Sequence, residues 1–139
     1  MNLSNDMQEV FIGEIDFVVQ KMKAAEDPST KLYFFSAAYG VAFRILNIQF
    51  DPELAFIHQV LNMAYTMING RVTALSQGQD RPIRIPEELF DRLEEALEEM
   101  VTKIEQGEQT YPVLQKISNL AFSTTGNGYY LYLKGLLTI

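Results

Sequence analysis

The stretch from Asp51 to Gln77, DPELAFIHQVLNMAYTMINGRVTALSQ, constrains the fold more than any other part of the chain. Asp51 has the short acceptor side chain of an N-cap, Pro52 the fixed φ suited to a first helical position, and Glu53 places negative charge in the first turn. At about 100° per residue, Leu54, Ile57, Leu61, Ala64, Ile68, Val72 and Leu75 form one apolar stripe. Phe56, Val60, Met63, Met67 and Ala74 form a second beside it. The two cover roughly half the circumference, more than a surface helix needs. This helix is therefore expected to be the most buried and to pack against two or three neighbours. Asn69-Gly70 is the competing signal, because it is the favoured type I′ hairpin dipeptide and AYTMI and RVTAL beside it could pair as strands. Arg71 also falls in the middle of the apolar arc. The upstream periodicity continues in phase through Val72 and Leu75, which favours one continuous helix.

The same reasoning predicts three more long helices. The first runs from Ser4 or Asn5 to about Ala25, with Met7, Val10, Phe11, Ile15, Phe17, Val18, Val19 and Met22 on a broad apolar face. Glu14 projects into that arc, with Lys21 two turns on along the same line. The second spans about Pro28 to Asn47 after the turn Asp27-Pro28-Ser29-Thr30, and its aromatic and aliphatic cover leaves a shallow strip at Ser36, Ala37 and Gly40 where another helix could approach closely. Ser76 to Pro82 reads as a loop, and a helix from Pro86 to about Gln106 has a clean apolar arc from Leu89 to Ile104, stopped by Gly107. A fifth helix is expected from Thr110 or Pro112 to Thr124. The tail YYLYLKGLLTI is apolar in every direction; a short helix is favoured, with a hairpin around Gly126-Asn127-Gly128 as the competitor. The predicted fold is thus all-α, a single domain over residues 1–139 of four long helices plus a C-terminal helical segment. The alternative is α+β with a small hairpin.

Composition narrows the function classes. With 139 residues, 47% hydrophobic and 21% charged, the chain has the makings of one core. A net charge of −7 with scattered basic residues disfavours nucleic acid and anionic lipid as partners. The absence of cysteine removes disulfides, thiolate metal sites and cysteine nucleophiles together. No stretch has the roughly 20 apolar residues of a membrane span, and the first twelve residues lack a basic leader region, so a cytoplasmic protein is expected.

Few residues suggest chemistry. Glu87, Glu88, Asp91, Glu94, Glu95, Glu98 and Glu99 crowd one helix, and the pattern EExxD followed by EExxEE resembles the acidic helices of all-α nucleotide pyrophosphatases. That resemblance implies a Mg²⁺-dependent nucleotide hydrolase with Glu87, Glu88, Asp91, Glu94 and Glu95 as metal candidates. The carboxylates, however, are expected to point away from the apolar stripe, and the neighbours Glu88–Arg92 and Glu99–Lys103 read as ordinary i,i+4 pairs on a wet face. His58, the only histidine, and Glu14 are the candidate catalytic groups; His58 has no orienting carboxylate at a local spacing and reads more readily as a border histidine bonded to a carbonyl or to a Tyr, and Glu14 as an edge carboxylate paired with a Lys or Arg of another helix. Ser123, Thr124 and Thr125 ahead of Gly126 and Gly128 could form an anion-binding nest, or simply cap a helix. No cofactor is implied. The expected function is a self-associating interaction or regulatory module without catalytic activity, a homodimer with the C-terminal segment or the outer face of the first helix in the interface, with another protein as the alternative partner. The alternatives are a small-ligand-binding bundle built on the second helix or the metal-dependent hydrolase.

Overall fold

A computed structural model describes residues 1–78, 88–125 and 133–136. Within them the chain is helical: α1 Asn5–Ala24, α2 Pro28–Leu46, α3 Pro52–Ser76, α4 Leu89–Glu105 and α5 Tyr111–Phe122. Three starts are capped by side chains, that at Asp51 as expected from sequence. Ser4 accepts from the Met7 amide, Asp27 from the Thr30 amide and Asp51 from the Leu54 amide, each satisfying a first-turn N–H that has no partner inside the helix. α4 ends on a Schellman turn. Gly107 takes φ +70°, its amide donates to Ile104 O and the Glu108 amide donates to Lys103 O.

α3 runs unbroken through Asn69-Gly70. A type I′ turn would need positive φ at both residues, and neither has it. Buried Ile68, Arg71 and Val72 hold the helical register across the dipeptide. α4 begins later than expected, at Leu89, after a turn at Glu88; residues 79–87, with the loop and extended segment predicted there, lie outside the described residues. So does most of the C-terminal tail, where the choice between helix and hairpin falls.

The packing is a closed circuit. α1 contacts α2 and α4, α2 contacts α3, α3 contacts α5, and α5 contacts α4, so each helix has two principal neighbours around one core. Phe11, Ile15 and Met22 of α1, Leu32 and Phe35 of α2, Leu54, Ile57, Leu61 and Ile68 of α3, Leu89, Leu93 and Leu97 of α4 and Ile117 of α5 are completely or almost completely buried. Two expectations need correcting. α4, not α3, is the most densely buried, with nine of 17 residues inside against nine of the 24 described side chains of α3. The second stripe of α3 is largely peripheral, because two neighbours fill only one arc; Phe56 is exposed and Met63, Met67 and Ala74 are half-buried. On α1, Val10 and Phe17 likewise turn outward, each about half exposed. Among the described residues, no helix is long and apolar enough to cross a membrane.

Candidate interaction surface

Two buried polar junctions lock the bundle. At one, the Glu53 carboxylate accepts from the Thr110 amide at 2.8 Å and the Thr110 hydroxyl at 2.6 Å, and lies 3.1 Å from the Met1 ammonium. Asp51 beside it accepts from the Asn2 amide at 2.8 Å as well as from its own helix. Burial pushes the Glu53 carboxyl upward, but the Thr110 hydrogen bonds and the nearby ammonium outweigh this and hold it below its ordinary range. Glu53 was legible only as a first-turn charge. Its partner lies 57 residues away, and no local signal announces it.

At the second junction, Glu94 overturns the expectation that the acidic residues of α4 all face water. It is 4% exposed and 3.4 Å from Lys31 Nζ, which also donates to Met22 O at the end of α1. Burial raises the Glu94 carboxyl above its usual range, partly opposed by Lys31. The remaining metal candidates do not join it: Glu88, Asp91 and Glu95 are exposed, and Glu87 lies outside the described residues. Among the described residues no three Asp, Glu or His side chains converge as a metal site would require. The expected Glu99–Lys103 pair is redirected between elements, Glu99 bonding Lys116 of α5 at 2.9 Å and Lys103 bonding Glu108 at 2.7 Å. A groove of about 330 Å³ between α4 and α5 is lined by Arg92, Glu95, Glu99 and Lys116 with Asn119, and is crossed by that Glu99–Lys116 pair.

His58 sits in a row of rings rather than in a hydrogen-bonded border site. Its centroid is 5.4 Å from Phe43 and 6.3 Å from Tyr39, and Tyr39 is in turn 5.4 Å from Tyr65. No carboxylate is within hydrogen-bonding reach of it among the described residues. Burial, and then Tyr65, push the Tyr39 hydroxyl upward. Ser123, Thr124 and Thr125 turn their hydroxyls back to the carbonyls of Leu120, Ala121 and Phe122, which is helix capping; Gly126 and Gly128 of the suggested nest lie outside the described residues.

Glu14 lies at a different place. It borders a groove of about 310 Å³ between α1 and α2 whose other lining residues are Ala37, Gly40, Val41 and Arg44. Glu14 is half-buried and Arg44 exposed, and neither forms an ion pair with a described residue. Lys21 lies 5.4 Å over the Phe17 ring instead of reaching Glu14. Among the described residues no other helix enters the strip at Ser36, Ala37 and Gly40: a Cβ placed on Gly40 would meet nothing within 4 Å.

No protein-family model, curated protein or solved structure matches this chain.

Proposed function

We propose that this protein is a self-associating helical interaction module that acts as a homodimer and performs no catalysis of its own. The observation that carries the reading is an asymmetry of the exterior. Val10 and Phe17 of α1, Tyr33 and Phe43 of α2, and Ile48 and Phe50 of the following connection are large apolar side chains left exposed, as are Phe56 and Leu75 of α3, Tyr111 of α5, Leu133 and Leu136, whereas the outer side of α4 carries Asp91, Arg92, Glu95 and Glu98. Single exposed apolar residues are ordinary, but contiguous apolar patches mark interfaces. Soluble oligomers are most often two-fold dimers that bury the same patch on both subunits. The candidate chemistry offers less support: His58 is engaged by aromatic rings and Glu94 by Lys31. Sedimentation velocity at micromolar concentration tests the reading. A species at twice the 15.9 kDa chain mass is expected, and a single species at one chain mass refutes it.

A further inference from the structure

We infer that the self-association surface is the outer face of the α1–α2 hairpin, and that its partner is a second copy of this chain, joined through reciprocal contacts of Glu14 in one copy with Arg44 in the other. The inference rests on the proposed self-association and deepens it by naming the face and the contact.

Spacing defines the face. On α1, Val10, Glu14, Phe17 and Lys21 fall on one line, four, three and four residues apart; on α2, Tyr33, Ala37, Gly40 and Arg44 repeat that spacing. Each line therefore makes one stripe. Between them lies the groove bordered by Glu14 and Arg44. Stripes at this spacing, here apolar and charged in turn on α1 and aromatic, small and basic on α2, are the rows by which helices pack on other helices.

Charge selects the occupant. The face holds an acid and a base on opposite sides of one groove, neither of them paired with a described residue. A two-fold axis lying in the plane of the contact can carry Glu14 onto the partner's Arg44 and Arg44 onto the partner's Glu14, so one operation satisfies both charges twice. A surface with one sign of charge could not complement itself this way. Backbone chemistry agrees. Gly13 and Gly40 are interior to α1 and α2, where glycine weakens a helix, yet a Cβ at either would touch nothing within 4 Å among the described residues. The packing of the described residues does not require them; a helix arriving from outside would gain close approach from them.

Charge reversal tests the pairing. Glu14→Arg makes both groove charges positive and Arg44→Glu makes both negative, so each variant alone is expected to self-associate about tenfold or more weakly than wild type. Mixed in equal amounts they are expected to form a one-to-one complex of two chain masses, because each supplies the charge the other lacks. Circular dichroism should show unchanged helicity, since neither side chain bonds within the described monomer. Gly40→Leu probes the same face without charge and is expected to weaken association to a similar degree. If wild type sediments as one chain up to roughly 100 µM, the dimer reading and this inference fall together. Should wild type pair while Glu14→Arg, Arg44→Glu or Gly40→Leu pairs equally well, the dimer stands and the face is wrong. Weakening of both charge variants without rescue on mixing overturns the reciprocal contact.

Discussion

Glu53→Ala is expected to be among the most destabilising single substitutions outside the apolar core. The Glu53 carboxylate accepts two hydrogen bonds from Thr110, whose residue is completely buried, and lies against the Met1 ammonium. Truncation removes the acceptor and leaves the Thr110 amide and hydroxyl in a place water does not reach. A buried donor stranded this way costs about 1–3 kcal/mol, and breaking a buried charge pair by removing one partner costs about 3–5 kcal/mol. These descriptions overlap, so a loss of about 3 kcal/mol is the appropriate expectation, against a total stability on the order of 5–15 kcal/mol. With a urea slope of about 1.5 kcal/mol per M, the unfolding midpoint should fall by about 2 M without change of slope. Thr110→Val keeps the amide bond and loses only the hydroxyl, so it should cost about 1–1.5 kcal/mol, and the double variant should cost less than the sum. The pH dependence has a definite sign. Because the folded carboxyl is held below its ordinary value of 4.5, its contribution is complete above that value and is lost as pH falls through the lower, folded one. A loss under about 1 kcal/mol in Glu53→Ala, or additivity with Thr110→Val, would refute the reasoning, since coupled neighbours should depart from additivity by about 0.5–3 kcal/mol.

Glu94 has the opposite linkage: its folded carboxyl is raised, so the stability it contributes is present at low pH and lost as pH rises from 4.5 through the folded value. Glu94→Gln should therefore be within about 1 kcal/mol of wild type at pH 7 and flatten that part of the pH–stability profile in urea titrations. Gly70→Ala should raise stability by about 0.5–1 kcal/mol, since Gly70 is exposed and mid-helix and a Cβ there meets nothing within 4 Å; a thermal melt checks it. Ile117→Ala, at a fully buried position of α5, should cost about 2–5 kcal/mol, measured by the same urea titration.

What could be read from the sequence divides by the distance over which each feature is determined. Ser4, Asp27 and Asp51 cap residues three positions on, so their roles follow from a few adjacent side chains, and the helix starts they mark are where the sequence puts them. The continuity of α3 was also legible, because Ile68 and Val72 share a phase with residues several turns upstream. Glu94 was not. It is one of seven carboxylates between Glu87 and Glu99, and Lys31, the residue that draws it inward, is 63 positions away on another helix. The same holds for Glu99, whose choice of Lys116 over Lys103 depends on where α5 returns beside α4.

The outer face of α1 and α2 was half legible for a related reason. An apolar arc much wider than about 100° on a surface helix must leave something outside the core. Which part stays outside is set by the closure of the helix circuit: α1 meets α2 and α4, so Phe11, Ile15, Val18 and Met22 point inward and the flank with Val10 and Phe17 is left out. Net charge is then a poor guide to whether two copies meet. Each chain carries −7, but the α1–α2 stripes bear Glu14 with Lys21 and Arg44, one negative and two positive charges. Repulsion between distant acidic faces is screened beyond about 8 Å at physiological salt, whereas groups brought into contact are screened much less. Two acidic chains can therefore associate where their local charges complement one another, even though their averages repel.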